Sequence, residues 1–109
     1  MPTELPIDPP TKRFKTERDA RLEEVGKCLS ALRDAIHFKP SSEISDRSRK
    51  LAYAVSVAGY CDGHQWYIWS RINSFEADWR MKGSTLNRAL ALEDVEAILR
   101  QCELAERAM

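Results

Sequence analysis

CDGHQWYIWSRINSFEADWRMK, residues 61–82, holds five of the chain's nine aromatic side chains and all three tryptophans. Wound at about 100° per residue, Ile68, Ile72, Phe75 and Trp79 fall in one narrow stripe of an α-helix. Trp66 projects roughly 150° from that stripe and Trp69 about 90° from it. One amphipathic face cannot take in all of these rings. The stretch therefore predicts either a helix central in a four-helix core, touching the other three at once, or one that turns aromatic surface toward a partner. Asp62 as N-cap with Gln65 three places on resembles a capping box, and Lys82-Gly83 marks the stop.

Upstream, Leu22, Val25, Leu29, Leu32 and Ile36 recur at alternating three- and four-residue spacing, with Cys28 and Ala35 widening the stripe. Thr16-Glu-Arg-Asp19 offers a capping-box start, and Pro40 an end, so a helix is expected over about 17–37. A second helix is expected to open near Ser41, Ser42 and Glu43 and to run to about Gly59. Its apolar half, Leu51–Tyr60, could be read as a buried strand. Helix is preferred because nothing else in the chain supplies strands to pair with it, and its small residues let a neighbour approach closely. Downstream, Ser84 or Thr85 starts the last segment, where Val95, Ile98, Leu99, Cys102 and Ala105 form a stripe. Glu96 with Arg100 and Glu103 with Arg107 are spaced for stabilising pairs, and a bend near Ala91 is left open. The architecture predicted is all-α: a small antiparallel bundle of three to four helices in one domain, residues 15–109. Pro2, Pro6, Pro9 and Pro10 make residues 1–14 an extended, flexible arm ahead of it.

Charge and cysteines narrow the classes of function. Seventeen basic and seventeen acidic side chains cancel, so no overall field draws the chain to nucleic acid or an anionic membrane. No stretch reaches the roughly eighteen continuous apolar residues of a membrane span. The N-terminal MPTELPIDPP lacks the basic start and apolar middle of a secretory signal. Cys28, Cys61 and Cys102 are odd in number and widely spaced, which reads as reduced thiols. A cytoplasmic protein is expected, or a nuclear one in a eukaryotic host.

Catalytic constellations are weak. Cys61 and His64 meet at a helix start, where a thiol pKa falls, but Asp62 opposes the thiolate and no third group orients the pair. Cys-x-x-His supplies two metal ligands where a structural zinc site needs four, and Cys28, His37 and Cys102 lie on separate stretches. Glu76 and Asp78, two apart, point in different directions on a helix. Glu93, Asp94 and Glu96 sit where a helix start favours acidic residues. The four glycines are scattered, so no phosphate loop is formed. No enzyme, metal or cofactor is expected.

Two binding constellations remain. Trp66, Tyr67 and Trp69, with Arg71 at the rim, have the composition favoured at protein interfaces, and Ser70, Asn73 and Ala77 give room for a partner helix. They point to a small interaction or regulatory protein whose partner is another protein or a second copy of itself. The alternative is a nucleic-acid-associated regulator that grips phosphates with Lys12, Arg13, Lys15 and Arg18, extended by Arg47, Arg49 and Lys50 if the first two helices bring those ends together.

Overall fold

The computed structural model describes residues 16–109, and the arm expected over 1–14 lies outside them. Among the described residues four α-helices run in order: α1 (Glu17–Phe38), α2 (Ser41–Ser56), α3 (Asp62–Lys82) and α4 (Arg88–Arg107). A 3₁₀ turn, Gly83–Thr85, precedes the last, and no strand occurs among the described residues. The all-α antiparallel bundle read from periodicity is the fold of this chain.

Each boundary has a local cause. Thr16 caps α1 through a full capping box: its hydroxyl accepts from the Asp19 amide at 3.0 Å, and the Asp19 carboxylate accepts from the Thr16 amide at 3.3 Å. Pro40 does more than end α1. It is the N-cap of α2, so Ser41 and Ser42 fall inside the first turn instead of capping it. Proline suits this junction, because its fixed φ and missing donor are tolerated where a helix begins. The α2 helix closes at Ser56, three residues short of the expected Gly59, and Gly59 turns the chain with φ +85°.

The start of α3 also differs from expectation. Cys61 is the N-cap, with no side-chain bond, and Asp62 is the first helical residue. The Gln65 amide is drawn away from a capping role because its Nε2 donates to Ser56 O at 3.0 Å, tying α3 to the end of α2. Gly83 ends α3 at φ +53°, where an added Cβ would lie 3.3 Å from Ser41 Oγ. Asn87, not Ser84 or Thr85, caps α4, with its carbonyl oxygen accepting from the Ala89 and Leu90 amides. Residues 88–107 form one helix. The first turn of α4 therefore holds no acidic residue, and Glu93, Asp94 and Glu96 lie beyond it. Glu96 reaches across to Arg33 of α1 at 2.9 Å and does not pair along α4 with Arg100; Glu103 and Arg107 do not pair either.

The core is a single apolar layer between the four helices. From α1 come Val25, Leu29, Leu32 and Ile36; from α2, Ile44, Leu51 and Val55; from α3, Ile68, Ile72, Phe75 and Trp79; from α4, Val95, Ile98 and Cys102. Close approaches join α1 to α2, α2 to α3, α3 to α4, and α4 back to α1, leaving α1 and α3 on a diagonal. The expectation that α3 would touch all three other helices is thus corrected: it lies alongside two, and its apolar stripe points at the bundle axis. Ala52, Ala54 and buried Ser45 and Ser48 make α2 the helix its neighbours approach most closely.

Arg88 fastens the far end of the bundle. Its Nη1 donates to Ile36 O and Lys39 O, both at 2.8 Å, and its guanidinium lies 5.9 Å from the Trp79 ring centroid. Two carbonyls at the α1 C-terminus, left without helical donors, are satisfied by a charge on α4. Arg88→Met removes those bonds and the cation–π contact while keeping the aliphatic stem. Urea unfolding should show a loss of about 2 kcal/mol, the scale of hydrogen bonds to a charged group.

Candidate aromatic interface

The α3 helix sorts its tryptophans. Trp79 is 2 % exposed, whereas Trp66 is 69 % and Trp69 43 % exposed. Ile68, Ile72, Phe75 and Trp79 occupy the axis-facing stripe, and Phe75 tilts against Trp79 with ring centroids 6.3 Å apart.

Two hydrogen bonds fix where the outward indoles sit. Gln65 bonds to Ser56, and Ser45 Oγ donates to Glu76 Oε2 at 2.5 Å. This antiparallel register sets Trp69 at the level of Ala52 and Tyr53. Trp66 and Trp69 line a cleft of about 460 Å³ with Ser56, Asp62 and Gln65, between the end of α2 and the start of α3. Tyr53 on α2 and Val57 at its C-cap are exposed as well. Toward α1 opens a second and larger cleft of about 630 Å³, with Ala20, Cys28, Tyr53, Ala54 and Val57 among its lining. Tyr53 and Val57 were not singled out by sequence. Their outward position on a helix with so many small apolar residues is the signal that would have found them.

Tyr67 and Arg71 belong elsewhere. They project roughly 100° or more around the helix from Trp66 and Trp69, toward the flank where α4 packs. There Arg71 Nη1 donates to Tyr67 Oη at 2.9 Å, with the guanidinium 5.7 Å from the ring centroid. The four residues grouped by sequence proximity therefore form two patches: an indole pair against α2, and a tyrosine–arginine pair on the opposite flank. Asn73 Nδ2 donates to Trp69 O at 2.9 Å, along the helix beside the indole patch.

The basic constellation is dispersed. Arg18 lies exposed in the first turn of α1. Arg47 donates to Ala31 O at 2.8 Å and stands 3.6 Å from Glu43. Arg49 is shared between Asp46 and Glu76, each at 3.3 Å, and Lys50 pairs with Asp46 at 3.4 Å. Lys12, Arg13 and Lys15 lie outside the described residues.

Glu76 is the polar residue that sequence reasoning undervalued. It is 6 % exposed and accepts from Ser45, Arg49 and Arg80, the last at 3.2 Å. Burial pushes its carboxyl upward, but the Ser45 hydroxyl and Arg80, with Arg49 behind them, prevail and hold it below the usual glutamate value. Arg80, four places on, was the available clue.

The thiols stand apart. Cys61 is exposed and its Sγ donates to Ala108 O at 3.7 Å, directed at the end of α4. Burial, with help from Glu24, raises the Cys28 thiol. Burial also pushes Cys102 up to about 11. Neither is poised as a nucleophile. No group of three or more metal-ligating side chains gathers among the described residues, and no helix there is long and apolar enough to cross a membrane. The chain matches no protein family model, no curated protein and no solved structure.

Proposed function

We propose that this chain is a non-catalytic binding protein whose partner, another protein, seats on the outer face made by the end of α2 and the start of α3. The observation that carries this reading is that two of three tryptophans stand in solvent over a shared cleft, while the third is buried in the core. Exposed indoles lining one cleft are surface of the kind that marks interaction sites. Tryptophan and tyrosine also deliver most energy per residue at interfaces. A second copy of the chain is the alternative occupant of the same face.

The test is partner capture from the native host by the intact chain and by the Trp66→Ala/Trp69→Ala variant. Hot-spot side chains cost about 2 kcal/mol or more on truncation, so the variant should lose its partner by some thirtyfold or more. Circular dichroism should remain unchanged. Recovery of the same partners by both versions would defeat the proposal. Sedimentation of the intact chain decides between a separate partner and self-association.

The nucleic-acid reading ranks second. Three of its cations, Arg47, Arg49 and Lys50, already face carboxylates, which lowers the charge they offer to phosphate. Steeply salt-dependent retention on heparin would promote it.

A further inference from the structure

The indole cleft has a chemical preference, and the inference drawn from it rests on the proposed protein-binding role. Asp62, Trp66 and Trp69 stand at positions i, i+4 and i+7, so one face of α3 carries a carboxylate and two indoles together. All three line the same cleft. The indoles are not stacked on each other: ring contacts among the described residues join His37 to Phe38 and Phe75 to Trp79. Their faces are left for a guest.

The one charged side chain lining the cleft among the described residues, Asp62, is negative. One N–H of Gln65 Nε2 donates to Ser56 O and Ser56 Oγ donates to Tyr53 O, which leaves Gln65 Oε1 and Ser56 Oγ as acceptors beside the second amide N–H. Among the described residues, Asp62 makes no ion pair and no lysine or arginine lines the cleft. The α3 N-terminus softens the field of Asp62 but supplies no neutralising side chain. Indole faces are themselves electronegative. An anion meets the Asp62 carboxylate and the indole faces, a neutral apolar group leaves the carboxylate without a partner, and a cation complements both the carboxylate and the rings.

We propose that the cleft is a socket for an arginine side chain of the protein partner, with the guanidinium on the indoles of Trp66 and Trp69 and forked toward Asp62. Arginine is favoured over lysine because its planar, weakly hydrated head stacks on aromatic faces and meets a carboxylate with two parallel donors.

The experiment is an indole-fluorescence titration of the full chain with the peptide acetyl-Gly-Leu-Arg-Leu-Gly-amide, its lysine counterpart, and its citrulline counterpart, which has nearly the same shape without charge. A cation–π contact and a surface ion pair together predict about tenfold tighter binding of the arginine peptide than the citrulline one at low salt. The lysine peptide should fall between them. Asp62→Asn should cut the arginine preference to about threefold, the part left to the aromatic faces. Trp66→Ala with Trp69→Ala should abolish binding. Equal affinity for arginine and citrulline, or an arginine preference untouched by Asp62→Asn, would overturn the socket. In that event, binding still lost on removing both tryptophans leaves the aromatic docking face standing, whereas peptide binding indifferent to the tryptophans counts against that face as well. Absence of saturable binding by the arginine peptide at millimolar concentration also overturns the inference.

Discussion

Trp79→Ala should cost about 3–5 kcal/mol in urea or thermal unfolding, the largest loss expected from any single truncation in this chain. The side chain is 2 % exposed, packs on Phe75, and carries Arg88 over its ring, so its removal leaves a cavity at the end of the bundle where α1, α3 and α4 are joined. The marginal stability of a domain of this size is only about 5–15 kcal/mol, so a substantial unfolded fraction is expected near physiological temperature. The same substitution at Trp66 or Trp69 should stay within about 0.5 kcal/mol of the parent, as exposed positions do. The contrast matters more than either value. Equal losses at positions 66 and 79 would mean that α3 is buried all round and presents no outward surface.

Glu76 supplies the second large effect. Glu76→Ala strips the acceptor from buried Ser45 and the counter-charge from Arg49 and Arg80, and breaking a buried charge network costs about 3–5 kcal/mol. Both arginines are more than half exposed and can turn to water, so about 2–3 kcal/mol is expected here. The pH dependence gives a sharper signature. The folded-state pKa lies below the unfolded one, so the carboxylate contributes its full stability above the ordinary glutamate range. That contribution is lost as pH falls through the folded value. Urea midpoints of the parent should therefore decline on acidification below about pH 4.3 more steeply than those of Glu76→Gln, which has no proton to take up there. Parallel acid limbs in the two proteins would show that Glu76 gains nothing from its surroundings.

Much of the fold was legible because helices announce themselves by period. The stripe Leu22–Ile36 and the Thr16 capping box place α1 to within a residue, and Ile68, Ile72, Phe75 and Trp79 all prove buried. The division of the tryptophans also follows from angle alone, since about 150° separates Trp66 from the stripe that holds Trp79. Where the reading fell short, a non-local contact had overridden a local signal. Gln65 resembles a capping residue until α2 is in place to offer the Ser56 carbonyl. Glu96 is well spaced for Arg100 until Arg33 comes within reach from α1. Glu76 flanks the apolar stripe on the side facing α2, and its burial depends on Ser45, thirty-one residues earlier.

The candidate site was legible in composition but not in grouping. Tyr67 and Arg71 are sequence neighbours of the indoles yet lie on another flank, because adjacent helical residues diverge by about 100°. Tyr53 and Val57, absent from that group, are exposed as well, but they line the cleft toward α1 and not the indole cleft. The basic residues Arg47, Arg49 and Lys50 illustrate the same point with opposite consequence: a cationic run in sequence becomes a set of ion pairs once Glu43, Asp46 and Glu76 are positioned.

The account turns on two indoles standing in water while one is enclosed, and fluorine NMR of the full chain labelled with 5-fluorotryptophan reads this directly. Single Trp→Phe variants assign the three resonances. On exchange from H₂O to D₂O, the signals of Trp66 and Trp69 should show the solvent-isotope shift of exposed rings, and that of Trp79 should not move. Three unresponsive resonances, or a response from Trp79 with none from Trp66 and Trp69, would contradict the account.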